Sequence, residues 1–304
     1  MILSMRYCVA LLTTFLAGAA PVPETYTYKT AGGRALEADV YRAGPGTHPV
    51  LVWIHGGALM FGSRTNLRPA QLTRYLDAGY TVVSIDYRLA PENKIGEILA
   101  DVKDAWAWVA AEGPRRFGAD VGRMAVVGHS AGGYLSQMCG FMAVPRPRAV
   151  VSFYGYGDIA GDWYAKPDPY YASQPSIARD DAYAALRKPE GRSVFYLYCR
   201  QQGLWPLEVT GHDPLIEPLA FDLWCPIRNV TSSYPPTILL HGDADTDVPY
   251  RLSVDMAAEL ERRGVVRELV TIPGGPHGFD GRMPADPVTV RAFERVMAFL
   301  RARL

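Results

Sequence analysis

The sequence predicts an α/β fold: a mainly parallel central sheet flanked by helices, with an inserted cap. Three observations carry that expectation. From residue 24 onward, strand-like and helix-like segments alternate, which implies right-handed crossovers between parallel strands and helices on both faces of the sheet. Most of the strand-like segments are short, unbroken apolar runs such as Val50-Leu51-Val52-Trp53-Ile54. Runs of this kind suit strands covered on both faces, whereas a half-exposed strand alternates. The alternation also stops near residue 156 and resumes near 235, as an insertion would make it.

Element by element, an opening pair of strands is expected over 26–29 and 35–41, joined through Gly32-Gly33. Residues 50–54, 80–85, 124–127, 149–153 and 237–240 are the unbroken runs, and 265–272 is a last strand with partial alternation. Helices are expected over 67–77, 95–111, 131–142, 250–263 and 288–304. In the second of these, Leu99, Val102, Trp106 and Val109 recur at helical spacing. Residues 24–155 and 235–304 thus make the core, and 156–234 the cap. The cap stretch is rich in Pro, Tyr and Trp and offers no clear strand. A long irregular insertion in a compact domain is more often a functional lid than a linker. Its aromatics, among them Tyr156, Trp163, Tyr164, Tyr171 and Trp205, suit an acyl or aryl pocket and a cap core equally well.

The 304 residues carry as many Lys and Arg as Asp and Glu, 31 of each kind. A nucleic-acid footprint would need a basic excess, so no nucleic-acid partner is expected. No internal apolar run reaches the length of a membrane span. At the N-terminus, Arg6 precedes an apolar stretch over 7–16, followed by Ala17-Gly18-Ala19-Ala20. This is the pattern of a secretory signal peptide over residues 1–19, cleaved after Ala19, and it points to a secreted protein. An N-terminal helix, or a start codon placed too far upstream, would instead leave the protein cytoplasmic. Cys8 would leave with the signal. Of the remaining Cys139, Cys199 and Cys225, the last two are a possible disulfide. Asn229-Val230-Thr231 is a glycosylation sequon.

The strongest chemical signal is Gly128-His129-Ser130-Ala131-Gly132, the glycine–any–serine–any–glycine pattern of a nucleophile elbow. An apolar strand runs directly into it and a helical stretch follows, which is the context the pattern requires. A strained turn lifts the serine hydroxyl above the sheet, and the flanking glycines relieve the close backbone approach this forces. Such a hydroxyl needs a base. Of the six histidines, His277 lies in the loop directly after the last strand. From there an imidazole can swing over the sheet top, where ligands bind in folds of this kind. His48, His55, His129, His212 and His241 are less well placed. The base needs an orienting carboxylate, and His241-Gly242-Asp243-Ala244-Asp245-Thr246-Asp247 offers three. A calcium-loop reading of these aspartates fails, because its sixth position is Val248 and its twelfth Val254. Asp243 is expected at the strand end. Asp247, ahead of Val248-Pro249, is expected to cap the next helix. Asp245, at the apex, gives the chain order Ser130, Asp245, His277. Donors for an oxyanion are expected from His55-Gly56-Gly57-Ala58 after its strand, and from Ala131 beside the nucleophile.

These motifs, together with Asp86-Tyr87-Arg88-Leu89-Ala90-Pro91-Glu92, Val248-Pro249 and His277-Gly278-Phe279, span residues 55–279. In order and spacing the chain resembles the α/β-hydrolase fold in its esterase/lipase branch, the hormone-sensitive-lipase-like and feruloyl-esterase-like carboxylesterases. The resemblance implies hydrolysis of a small-molecule ester through a Ser130–His277–Asp245 triad, without metal or cofactor. It also implies an oxyanion hole made by the N–H groups of Gly57, Ala58 and Ala131. Two features depart from the family pattern: Ala58 stands where a third glycine is usual, and the cap is long. The 86–92 segment is expected to brace the surrounding loops. A serine peptidase or amidase, such as an arylformamidase, would use the same triad. A non-catalytic binding protein on this scaffold would usually lack one of its members.

Overall fold

A computed structural model describes residues 21–304; the expected signal peptide and Cys8 lie outside these residues. The core strands are β1 (Glu24–Ala31), β2 (Arg34–Tyr41), β3 (His48–Ile54), β4 (Thr81–Ile85), β5 (Ala119–His129), β6 (Val150–Phe153), β7 (Thr237–Gly242) and β8 (Arg267–Ile272). They form one sheet in the order β1-β2-β4-β3-β5-β6-β7-β8. β1 pairs antiparallel with β2, and β2 with β4, while every later neighbour is parallel. Helices α1 (Pro69–Asp77), α2 (Ile95–Phe117) and α3 (Ala131–Met142) connect the first parallel strands. The segment between β6 and β7 carries α4 (Asp162–Ala165), α5 (Pro169–Ala172), α6 (Arg179–Ala185), α7 (Arg192–Gln202) and α8 (Trp205–Thr210), besides 3-10 turns. α9 (Arg251–Arg262) and α10 (Pro287–Arg301) follow β7 and β8.

The unbroken apolar runs have the expected physical cause. Successive side chains of a strand point to opposite faces. Val50, Val52 and Ile54 of β3 pack into the layer with α2 and α3, while Leu51 and Trp53 pack into the layer with α1 and α10. Met124 and Val126 of β5 face the first layer, Ala125 and Val127 the second. With both faces covered, a polar residue is kept only where it finds a partner, as Ser84 does by donating to Arg64 O and Ser152 by donating to Gly133 O.

The largest extensions beyond the expected limits are in β5 and α2. β5 starts at Ala119 because its first residues pair with His48 and Pro49 ahead of a register shift. α2 continues through Gly113-Pro114, where it was expected to end, because Phe117 is buried one turn later. It stops at Gly118, which takes the left-handed conformation common after a helix. Among the described residues, no helix is long and apolar enough to cross a membrane.

The possible Cys199–Cys225 disulfide is not formed. Both thiols are free and buried, and Cys225 Sγ instead donates to Asp158 Oδ1 at 3.1 Å. Burial pushes the Cys225 thiol up to about 12. In the sequon, Asn229 Nδ2 donates to the carbonyls of Asp222 and Cys225 at 2.7 and 2.9 Å.

Candidate active site

β5 delivers Ser130 to the carboxyl edge of the sheet. Ser130 sits between β5 and α3 with φ 54° and ψ −120°, a region that costs a non-glycine residue roughly 1–3 kcal/mol. Its N–H donates to Phe153 O of the neighbouring strand at 2.9 Å, and Tyr134 N–H donates back to Ser130 O at 2.9 Å. The turn is as tight as the flanking glycines suggest. A Cβ on Gly128 would lie 2.0 Å from Gly132 O, and one on Gly132 would lie 2.0 Å from Ile54 O. Neither backbone atom can yield, so both positions are closed to any side chain.

His277, in the turn after β8, meets Ser130 from across the sheet edge. Ser130 Oγ donates to His277 Nε2 at 3.0 Å, and His277 Nδ1 donates to Asp245 Oδ2 at 2.7 Å. Residues 147 and 32 positions apart in sequence are thus joined in one hydrogen-bonded chain. The Asp245 side chain is fully buried. Its Oδ1 accepts the N–H groups of Asp247 and Val248 at 2.8 and 2.9 Å. Burial alone would raise the carboxyl pKa, but contacts with His241 and His277 hold it well below the usual carboxylate range. Burial likewise disfavours a charged His277, yet the hydrogen bond to Asp245 and the charges of Asp247, Asp245 and Asp280 lift its pKa above the ordinary value.

The glycine loop after β3 packs against the elbow: a Cβ on Gly56 would lie 3.2 Å from Ser130 Cβ. Gly57 lines the same pocket as His277. Ala58 takes φ 53°, a left-handed conformation that explains why glycine is usual there. It is held by Trp205 Nε1, which donates to Ala58 O at 2.9 Å from the inserted segment. Ala131 opens α3, so its N–H has no acceptor within its own helix. The 86–92 segment braces this loop. Tyr87 Oη donates to His55 O at 2.9 Å and its ring stacks on that imidazole at 4.1 Å. Burial drives the His55 pKa down to about 4.

Asp243 behaves as a strand-end residue, accepting Gly274 N–H at 2.6 Å. Asp247 does not cap a helix. α9 begins only at Arg251, and the Asp247 side chain turns toward the inserted segment. Its Oδ1 accepts from Tyr171 Oη at 2.8 Å, Tyr196 Oη at 2.5 Å and Arg200 Nη1 at 2.7 Å. The reason is Arg200, whose side chain is fully buried on α7 and whose charge must be met. Asp168 meets it from the other side at 2.7 Å.

Three further residues pack around these groups, of which only His241 falls within a motif. His241 Nε2 lies 3.2 Å from Asp245 Oδ2. Tyr154, at φ 38°, packs its ring edge-to-face on His277 at 4.6 Å. Asp280 is buried beneath both and accepts from Tyr154 Oη at 2.5 Å and from Arg68 Nε and Gln71 Nε2 at 2.7 Å. Its place three residues after His277 is the one signal the sequence held. The pocket above, about 550 Å³, is walled by Phe61, Arg68, Tyr154, Glu190, Asp247 and His277, among others. Tyr156, Tyr164 and Trp205 are buried in one hydrophobic cluster with side chains of β3, α2 and α3 and line no part of the pocket.

A family model described as the alpha/beta hydrolase fold matches residues 51–281. A non-reducing polyketide synthase of Preussia isomera is 29% identical over 86% of this chain, which spans only 14% of that protein. The esterase LipC of Mycobacterium tuberculosis is 32% identical over 76% of the chain and 53% of its own length. The solved hyperthermophilic esterase of the archaeon Pyrobaculum calidifontis superposes with a TM-score of 0.69 at 25% identity, covering 93% of this chain and 85% of its own. The parallel sheet, the elbow at its carboxyl edge and these likenesses agree: the chain belongs to the α/β-hydrolase fold family, in the branch its esterase relatives represent.

Proposed function

We propose that this chain is a serine carboxylic-ester hydrolase that works through an acyl-enzyme. The observation that carries the reading is the hydrogen-bonded chain Asp245–His277–Ser130, with distances of 2.7 and 3.0 Å, beside the glycine loop. With Asp245 accepting at Nδ1, the imidazole presents its Nε2 lone pair to the serine hydroxyl. His277 takes that proton as Ser130 Oγ attacks the ester carbonyl. The N–H groups of Gly57, Ala58 and Ala131 receive the oxyanion. The imidazolium, stabilised by Asp245, gives its proton to the departing alkoxide. Water then attacks the acyl-enzyme with the same base, and the acid leaves. The segment 156–234 serves as the cap. Trp205 ties it to the oxyanion loop and Arg200 ties it to the acid loop. Likeness to proteins named as esterases supports the ester reading over the amide one.

The test is turnover of 4-nitrophenyl esters of graded acyl length beside the matching anilides, together with labelling by a fluorophosphonate. Esters should be cleaved and anilides not, and Ser130→Ala should lose both turnover and label while keeping its fold. Undiminished labelling of that variant, or faster cleavage of anilides than of esters, would defeat the proposal.

A further inference from the structure

Asp247 has two oxygens with different surroundings. Oδ1 is held by three donors from the inserted segment. Oδ2 accepts no hydrogen bond from any donor of that segment; it faces the pocket 3.5 Å from His277 Nε2, the atom to which Ser130 donates. A partly exposed carboxylate oxygen with open lone pairs therefore stands beside the atom that must return its proton to the departing alkoxide. The alcohol half of a bound ester passes within its reach. Glu190 adds a second carboxylate to the same wall. The wall's arginine, Arg68, is already matched by buried Asp280, and Arg200, which matches Asp247, is shared with Asp168. The surroundings of the leaving group are therefore rich in acceptors and negative charge.

We propose that Asp247 is a specificity-determining residue that selects esters whose alcohol half carries a hydroxyl or ammonium group close to the ester oxygen, an inference that rests on the ester-hydrolase reading. A donor there satisfies Oδ2. An acidic group there meets like charge, and specificity gains as much from that repulsion as from the attraction.

The experiment holds the acyl half fixed. Butyrate esters of 1-propanol, glycerol, choline and glycolic acid are followed by proton release. Each kcat/KM is divided by the ester's own alkaline hydrolysis rate, which removes leaving-group reactivity. The glycerol and choline esters should exceed the glycolate ester by about a hundredfold, with the propyl ester between them, since a charged hydrogen bond and a like-charge clash each contribute about tenfold. Asp247→Asn should narrow that gap by about tenfold or more. The three donors on Oδ1 hold the amide oxygen, so the amide NH₂ replaces Oδ2 and a donor stands where an acceptor was. If Asp247→Asn does not fold, Asp247→Glu keeps the charge for Arg200 but moves the carboxylate, and the ranking must still change. A flat ranking in the native protein, or an unchanged one in the variant, would overturn the inference while leaving the esterase reading intact. No turnover of any of the four esters would remove the esterase reading instead.

Discussion

Asp245→Asn isolates the part of the proposed machinery that the structure defines most tightly. Asp245 Oδ1 accepts two backbone N–H groups, of Asp247 and Val248, at 2.8 and 2.9 Å. An asparagine must keep its carbonyl oxygen there, because an NH₂ group would face two donors. Its NH₂ then takes the place of Oδ2, 2.7 Å from His277 Nδ1, and donates where a carboxylate accepted. The imidazole is forced to carry its proton on Nε2, and that atom can no longer take the proton of Ser130. Wrong-tautomer substitution of a triad acid in other serine hydrolases lowers kcat by about 10⁴, or about 5 kcal/mol of barrier. We expect a loss of about 10³–10⁴ here. Both backbone hydrogen bonds survive, so the unfolding midpoint should move little. Asp243→Asn, which alters only the brace to Gly274, should change kcat by less than about tenfold. The assay is kcat on 4-nitrophenyl butyrate with urea midpoints for both variants. An Asp245→Asn enzyme within tenfold of the native rate, or an Asp243→Asn enzyme that is dead, would refute the assignment of the acid.

Two other expectations follow from the charges around the site. Because the proposed mechanism needs neutral His277 and the pKa of that residue is raised from 6.5, kcat/KM should rise with pH through a midpoint above 6.5; in Asp247→Asn, which removes one of the charges responsible, the midpoint should fall, and an unmoved midpoint would count against that cause. Asp280→Ala removes the shared acceptor of Arg68, Gln71 and Tyr154 and should cost about 3 kcal/mol at neutral pH. Burial would raise the Asp280 pKa, but the nearby His129 and Arg68 hold it below the ordinary 3.8. Its contribution is therefore present above pH 3.8 and lost as pH falls toward the lowered value. The gap between native and variant urea midpoints should narrow below pH 3.8, and a gap constant with pH would contradict the pairing.

Much of this protein is legible in its sequence because the decisive constraints are local. A strand buried on both faces is mostly apolar on both, so β3, β5, β6 and β7 stand out as runs, with the few polar exceptions, such as Ser152 and His241, buried and hydrogen-bonded. The elbow needs glycines where an added Cβ would lie 2.0 Å from a backbone oxygen. In a parallel sheet, the loops after β5, β7 and β8 all emerge at one edge, so Ser130, Asp245 and His277 are drawn together once the strands are known. The limits of the helices were less legible, since burial of Phe117 carried α2 through residues that usually end a helix.

What only the tertiary structure decided lies in contacts between the inserted segment and the core. That segment has no periodicity, and its partners are far away in the chain. Asp247 looks like a helix cap beside Val248-Pro249; a fully buried Arg200, 47 residues earlier, claims it instead. Cys199 and Cys225 look like a pair but are buried apart as free thiols. The segment's aromatics suit a pocket wall or a core equally well; Tyr156, Tyr164 and Trp205 turn out to be buried in one cluster with side chains of β3, α2 and α3. Strand and elbow geometry are set by each residue's immediate neighbours, which sequence displays. The partner of a buried charge is set by whatever the fold brings beside it, and that is settled only when the chain has packed.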